Sequence, residues 1–563
     1  MLILGITNND TAGACLVKDS QILSAVHEER FTRIKGDKIW PQQSINFVLE
    51  SNDLKINDID IVAYGWKAGF NEENCLNLYV SRIIHESTTN VKNIGILKKR
   101  IADELINDRD KRKEFDDYIL QNKIKDKVRF IDHHDTHAWG AWLCSPWNDA
   151  LVVTCDGRGD FLSLTIRQII NGEELVLQRE TTIDSLGYFY GRITHLLGFT
   201  PNRHEGKITG LAAHGNPKPA LSFMQKMIDL HGHRLLSNCG DYYIPSYQSY
   251  SKKLINEIKK HSPQDIAAAA QFHLEHIITT LIKHHIKNNK KSHICLAGGI
   301  FGNVRLNQKV REISGVDGVF ILPCMGDEGL PLAAAVTTAW RERKTRCQFN
   351  TMNLGPDIDK EELQKIIDSS TDLVCFKPID MISYMTELLK SEKIIAITRG
   401  KMEFGPRALC QRSIIYHAHN PDINVWLNAK LSRTEFMPFA PVTTEKLAGI
   451  CFKNWKKEDI SAEYMTITYR CNRIMKDQCP AVVHVDNTAR PQVVKESKDP
   501  FMYRLINKWY EISGQPCLVN TSFNRHEEPI INTLRQAVAV LKEKIIDVII
   551  INDSYALTMR EDV

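Results

Sequence analysis

The chain contains no uninterrupted apolar run near the roughly 20 residues that a membrane helix needs, so no membrane span is expected. Its first residues, MLILGITNNDTAGACLV, carry no basic leader ahead of the short apolar run, which predicts no export and a cytoplasmic location. No CxxC occurs among the 14 cysteines, and the closest pair, Cys471 and Cys479, is not tightly spaced. Scattered reduced thiols in a cytosolic protein are the simpler reading. A strong charge of either sign is missing too: 72 lysines and arginines against 68 aspartates and glutamates neither demand nor exclude a nucleic-acid partner. What remains is ordinary for a soluble globular protein, 43% hydrophobic and 25% charged. At 563 residues the chain is too long for one core, so two or more domains are expected.

The strand pattern repeats. LILGIT, GACLV and ILSAVHE read as successive strands, and ALVVTC (150–155), FLSLTIR (161–167) and ELVLQ (174–178) repeat the plan, with Asn171-Gly172 as a hairpin signal. In both copies an aspartate, Asp10 or Asp156, follows the first strand. Two such halves predict a duplicated α/β fold of the kind found in actin, hexokinase and the heat-shock chaperone ATPases. A helical pattern over 266–287 leads to the strand HICLAGG (293–299), and FILPC leads into a helix near 325–335. A polar stretch with Gly-Pro, about 344–357, reads as a linker, which predicts a first domain over 1–345 and a second, also α/β, over 355–563.

Two constellations carry chemistry. His133 and His137 in DHHDTHAWGAW are four residues apart, so on a helix both imidazoles project from one face, while His134 points elsewhere. With Asp156 after a strand and Asp327 in PCMGDEG at another strand-to-helix junction, they would form a site of two imidazoles and two carboxylates, suited to iron, manganese or zinc. The second constellation is EFGPRALCQRS, Glu403–Ser413. Arg407 and Arg412 offer planar donor forks to phosphate oxygens, and Gly405 and Pro406 shape a close approach that a regular helix could not provide.

With LNAKLSRTEFMPFAP, HVDNTARPQ and LVNTSFNRHEEPI further on, the chain resembles the NodU/TobZ-type carbamoyltransferases from Leu2 to about Asp553. The resemblance implies an actin/hexokinase-like (ASKHA) first domain with a metal at His133, His137, Asp156 and Asp327, iron being favoured. It implies nucleotide elements in EGKITGLAAHG and LAGGIFGNVRLN, where Lys207 supplies a point charge, Gly298 and Gly299 admit close backbone approach, and Asn303 joins them. It also implies a YrdC-like second domain that makes carbamoyl-adenylate, with Arg407, Arg412, Arg433 and Arg490 as cations and Lys401, Ser413, Asn520 and Ser522 as further donors. Ser522 lacks a GxSxG elbow and is not a nucleophile.

The chain departs from that family at four places, one of them Lys401, which stands where an arginine is usual. Relatives usually carry a histidine before the early aspartate, where this chain reads Asn8-Asn9-Asp10, so Asp10 becomes the candidate for polarising the acceptor hydroxyl. Leu431 and Met437 stand where a lysine and an arginine are usual; Lys430 is one residue from the lost lysine. The resemblance thus implies a carbamoyltransferase using carbamoyl phosphate and ATP, with Mg accompanying the ATP and a homodimer among the expectations. Its acceptor would be a hydroxyl on a sugar or natural product, with a hydroxymethylated nucleobase in DNA kept open. Threonylcarbamoyl-type transfer RNA modification and a nucleotide-gated binding protein of the actin superfamily are the competing readings.

Overall fold

The computed structural model describes all residues except 68–72, 247–248, 290–292, 433–436 and 563. It divides into two compact units, Met1–Leu23 with Lys38–Phe349, and Ser24–Asp37 with Asn350–Val563.

The first unit is built on strands β1 (Leu2–Thr7), β2 (Gly13–Lys18), β3 (Gln21–His27), β4 (Ile61–Tyr64) and β5 (Val128–Phe130), followed by β6 (Asp149–Gly159), β7 (Leu162–Ile170) and β8 (Glu173–Thr181). A small hairpin, β9 (Ile228–His231) and β10 (Arg234–Ser237), precedes β11 (His293–Ala297) and β12 (Gly318–Ile321). Two five-stranded sheets result, in the orders β3-β2-β1-β4-β5 and β8-β7-β6-β11-β12. In each, the strand leading the triplet pairs antiparallel with the next and parallel with a later strand, which is itself parallel to the edge strand. The two sheets therefore repeat one topology, as the strand triplets predict.

The hairpins follow from their turn residues. Asn171 and Gly172 both take positive φ, 51° and 84°, the geometry of a two-residue turn whose twist matches the strands. The inner strands read as continuous apolar runs because both faces are covered. Ile3, Leu4 and Ile6 of β1 and Ile294–Ala297 of β11 are fully buried. The helix expected near 325–335 begins with a single turn, Asp327–Gly329, and runs as a regular helix over Leu330–Arg343. The expected helix over 266–287 extends over Pro263–Asn289.

The second unit carries β13 (Leu373–Phe376), β14 (Ile395–Thr398), β15 (Arg412–His417) and β16 (Ala440–Thr444). The short pair β17 (Tyr469–Arg470) and β18 (Thr488–Ala489) follows, then β19 (Gln492–Val494), β20 (Leu518–Ser522), β21 (Val548–Ile551) and β22 (Tyr555–Met559). Eight of them form one mixed sheet, β13-β22-β21-β14-β15-β20-β16-β19. Ile395, Ile397, Ile415, Leu518 and Ile550 of this sheet pack in one core with Met385 and Leu389 of the helix Met381–Lys390 and with Met502, Leu505 and Trp509 of the helix Pro500–Ser513.

The segment Ser24–Asp37 is held in this second unit by backbone and arginine hydrogen bonds. The Ala25 amide donates to the Leu354 carbonyl at 3.0 Å and Arg30 Nη2 to the Gly405 carbonyl at 2.9 Å. Arg33 donates from its two terminal nitrogens to the carbonyls of Ile530 and Pro529.

Among the described residues no helix is long and apolar enough to cross a membrane.

Candidate active site

Asp132 caps the helix His133–Cys144 by accepting the Asp135 amide, so the helix begins at His133 and puts His137 one turn further on the same face. Asp156 lies in β6, where the register with β7 shifts between Cys155 and Gly159, an irregularity that re-aims side chains next to a site. Asp327 opens the turn after β12. His133 Nε2 is 2.8 Å from Asp156 Oδ2 and 3.7 Å from Asp327 Oδ1, and His137 Nε2 is 3.8 Å and 3.5 Å from the same two atoms. One ligand atom from each of the four residues lies within 4.8 Å of all the others. Gly159 is what allows the His133 ring its seat: a Cβ there would meet ring atom Cδ2 at 2.0 Å.

These groups fit a metal ion. Ligand atoms at about 2.0–2.2 Å from one ion lie about 3 to 4 Å from each other, the range observed. His137 is fully buried, and neither of its ring nitrogens has a hydrogen-bond partner among the described residues. Such orphaned buried atoms are rare and ask for an explanation, which a bound ion supplies.

Burial disfavours the charged form of His133, but Asp327 and Asp156 outweigh it and lift its pKa to about 9. Asp156 and Asp327, although buried, are held below the usual carboxylate range by the imidazoles, and in the case of Asp327 by Lys111 as well.

His134 corrects one expectation. Instead of pointing away from the cluster, its Nε2 lies 3.5 Å from Asp156 Oδ1, while its Nδ1 contacts Thr154 Oγ1 at 2.8 Å. Burial, reinforced by its two histidine neighbours, brings its pKa down to about 4, so it stands as a neutral support behind Asp156. Asp160 was not legible as part of the site either. Its Oδ2 accepts the backbone amides of His133 and Lys67, at 2.8 and 2.9 Å, and burial with Asp132 nearby raises its pKa to about 8.

On the same unit, Asp10 is half-exposed, 2.6 Å from Lys38 Nζ and 3.0 Å from Asn202 Nδ2. Lys111, on the long helix Ile94–Asn122, donates to Asn9 Oδ1 at 3.1 Å. Burial lowers the pKa of its ammonium, and Asp10 and Asp327 work in the opposite direction. Only a polar helix pattern marks Lys111 in the sequence, which gives no hint of this placement.

Of the nucleotide elements, Gly298 takes φ +99° and a Cβ there would strike the Cys155 carbonyl at 2.3 Å, while Gly299 faces open space. Lys207 is buried on the helix Glu205–Ala212. Asn303 caps the helix Val304–Arg311 and exchanges amide hydrogen bonds with Gln271.

In the second unit, hydrogen bonds gather three of the expected segments. Asn520 Nδ2 donates to the Ala408 carbonyl at 3.3 Å and to Gln492 Oε1 at 2.7 Å, which brings the residues one position after Arg407 and two positions after Arg490 onto β20. Ser522 pairs in register with Ser413 across β15 and β20. Arg407, Arg490 and Ser522 are half-buried, and Lys401 is exposed.

Arg412 has a different set of partners from the phosphate oxygens expected. Fully buried, it donates to the carbonyls of Arg399, Gln411, Pro356 and Gly400. Burial lowers its pKa to about 10, against the pull of Glu403 and Asp357. Glu403 Oε1 in turn accepts the amides of Leu409, Gln411 and Arg412, so the pair frames the loop. Ser413 Oγ is likewise taken by the Cys410 amide. Arg433 lies outside the described residues.

The chain is thus a mixed α/β protein with a duplicated sheet that presents two imidazoles and two carboxylates to one point. Residues 2–336 match the family model described as Carbamoyltransferase N-terminus, and residues 386–557 match Carbamoyltransferase C-terminus. The chain belongs to the carbamoyltransferase family and is an enzyme of the transferase class.

An uncharacterized protein of Methanocaldococcus jannaschii is 30% identical, covering 95% of this chain and 96% of its own. Nodulation protein NolNO of Sinorhizobium fredii is 29% identical over 97% of this chain and 78% of its own. The 3'-hydroxymethylcephem-O-carbamoyltransferase of Amycolatopsis lactamdurans is 24% identical over 76% of this chain and 81% of its own.

Proposed function

We propose that the protein is an ATP-dependent O-carbamoyltransferase working in two half-reactions. A YrdC-like module over 355–563, completed by Ser24–Asp37, converts carbamoyl phosphate, water and ATP, with its Mg, into carbamoyl-adenylate: water releases phosphate and leaves carbamate, whose oxygen bonds to the α-phosphorus as pyrophosphate departs. An ASKHA-type module over 1–345 passes the carbamoyl group to an acceptor hydroxyl. The observation that carries this reading is the convergence of His133, His137, Asp156 and Asp327 around orphaned ring nitrogens, in a chain of this family.

In the first half-reaction Arg407 and Arg490 neutralise charge that develops on phosphoryl oxygens, and Ser522 and Lys401 position the donor. Arg412 and Glu403 keep the loop in shape for them. Asn520 ties the arginine segments together.

In the second, Lys207, Gly298, Gly299 and Asn303 receive the nucleotide end, and Asp10 accepts the proton of the acceptor hydroxyl as its oxygen attacks the carbonyl carbon and AMP leaves. A divalent ion, iron by resemblance, held by the His–Asp cluster supplies Lewis-acid polarisation and an anchor for phosphate. The acceptor is a hydroxyl-bearing small molecule of the cytoplasm; the Amycolatopsis relative is a 3'-hydroxymethylcephem-O-carbamoyltransferase, whose acceptor is a hydroxymethyl group.

The test is mass spectrometry of candidate alcohols, including hydroxymethylated DNA, incubated with the enzyme, carbamoyl phosphate and ATP. A carbamoyl mass increment that requires both cosubstrates is expected. AMP formation that ignores carbamoyl phosphate would leave a nucleotide-gated binding protein as the better reading.

A further inference from the structure

Lys111 is a charged group in an awkward place. Its ammonium, part-buried, has one hydrogen-bond partner among the described residues, the neutral Asn9 Oδ1 at 3.1 Å. No carboxylate lies within ion-pair distance of it among the described residues, although Asp10 and Asp327 both act on it electrostatically. Exposed lysines elsewhere on the unit, such as Lys38 beside Asp10, do reach a carboxylate. A half-buried ammonium held on a neutral amide, with no carboxylate in reach, keeps donors available for an anionic or carbonyl oxygen.

Asn9 is arranged to hold that charge in position. An ammonium only donates, so the oxygen of the amide must face Lys111, and the Asn9 Nδ2 group, in a side chain 1% exposed, is left with no hydrogen-bond partner among the described residues. The neighbouring Asn8 is locked to the same helix: its Nδ2 donates to the Lys111 carbonyl and to Glu114, and its Oδ1 accepts Tyr64 Oη at 2.5 Å. The Trp66 ring touches both neighbourhoods, 5.8 Å from Lys111 Nζ and 4.5 Å, edge to face, from the His133 ring. The ammonium is therefore linked to the His–Asp cluster through one shared ring.

We propose that Lys111 is a further catalytic residue of the transfer step, donating to the carbonyl oxygen of the carbamoyl group, with Asn9 as its positioning residue. This rests on the two-half-reaction reading above. If Asp10 takes the acceptor proton, the attacked carbon lies beside Asp10, with the carbonyl oxygen and the bridging oxygen to AMP each one bond away. Lys111 is held by Asn9, the residue before Asp10, which brings a cation to this carbon; assignment to the carbonyl oxygen rather than to the departing nucleotide is what the experiment below decides. As the acceptor oxygen bonds to the carbonyl carbon, the C=O pair moves onto oxygen and faces the ammonium. The pair returns as the bond from carbon to the AMP oxygen breaks, AMP leaves as its anion, and the acceptor proton rests on Asp10. Lys111 keeps its own protons throughout.

The experiment is single-turnover AMP release from preformed carbamoyl-adenylate by the metal-loaded full chain, with water as the acceptor probe. Metal content and thermal midpoint are recorded for each variant. Lys111→Met is expected to lower the limiting rate about a hundredfold, as loss of one donor to a developing oxyanion does, with half-saturation shifted less than about threefold. Lys111→Arg is expected to recover a substantial part of that loss, and Asn9→Ala to fall between Lys111→Met and wild type. Lys111→Gln, neutral and close in length, replaces Lys111→Met if the latter does not fold.

A wild-type limiting rate in Lys111→Met would overturn the assignment. So would a weakened half-saturation matched by weakened AMP inhibition at an unchanged rate, since that pattern marks a phosphate contact. If wild-type enzyme releases no AMP from the intermediate, the two-half-reaction reading itself fails and the inference falls with it.

Discussion

In the first unit, His133, His137, Asp156 and Asp327 turn buried polar atoms toward one another and leave both nitrogens of His137 without a hydrogen-bond partner among the described residues. In the second, the equally buried Arg412 spends four hydrogen bonds on main-chain carbonyls. Both groups look alike in sequence, as charged side chains in a motif of the family. Their hydrogen bonding separates them: both terminal nitrogens of Arg412 are taken by carbonyls and only its Nε is left over, so the guanidinium fork maintains shape, whereas a ring with neither nitrogen engaged keeps its capacity for a ligand.

The largest effect that would sharpen this contrast is loss of the metal. His133→Ala or His137→Ala should reduce carbamoyl transfer by about a thousandfold or more, because an ion acting as Lewis acid contributes several kcal/mol. Pyrophosphate production should continue. If a folded, metal-free variant loses both half-reactions, the separation of chemistry between the two units is wrong.

Next comes Arg490→Ala, expected to slow adenylate formation about a hundredfold to a thousandfold, with transfer restored when carbamoyl-adenylate is supplied. Unaltered adenylation would move Arg490 to the same framing role as Arg412. Asp10→Asn should slow single-turnover transfer about a hundredfold, the lower end for a general base, and leave adenylation intact. An unchanged rate would remove Asp10 from the mechanism and make its contacts with Lys38 and Asn202 its whole role.

The smallest expected change in chemistry is at Arg412. Arg412→Lys cannot reproduce a planar fork on four carbonyls and should cost about 1–3 kcal/mol of stability, read by denaturant unfolding. The KM for carbamoyl phosphate should stay within about twofold in the folded variant. A large rise in that KM at little cost in stability would return Arg412 to the phosphate.

The fold was legible where short-range rules dominate. Alternating and continuous apolar runs marked the strand triplets, Asn171-Gly172 marked its hairpin, and the four-residue spacing of His133 and His137 marked a shared helix face. The remainder depends on contacts between distant parts of the chain. His134 meets Asp156 because β6 passes beside the helix, and no helical period encodes that. The partners of Arg412 are carbonyls, which have no residue signature. Lys111 sits in a helix dense with charge, and only the placement of Asn9 at the end of β1 distinguishes it from its solvated neighbours.

Ser24–Asp37 has a consequence for how the polypeptide comes to be folded. The bond from Arg30 to the Gly405 carbonyl closes a separation of 375 residues, and the one from Arg33 to the Ile530 carbonyl closes 497. A nascent chain emerging N-terminus first thus releases this segment hundreds of residues before its partners at Gly405, Pro529 and Ile530. Contacts of such high order are slow to form and leave apolar surface uncovered meanwhile. The second unit is therefore not a contiguous cassette: a fragment starting at Asn350 omits the arginines that tie down Gly405, Pro529 and Ile530, and completing it requires the fourteen-residue piece Ser24–Asp37 to be supplied as well.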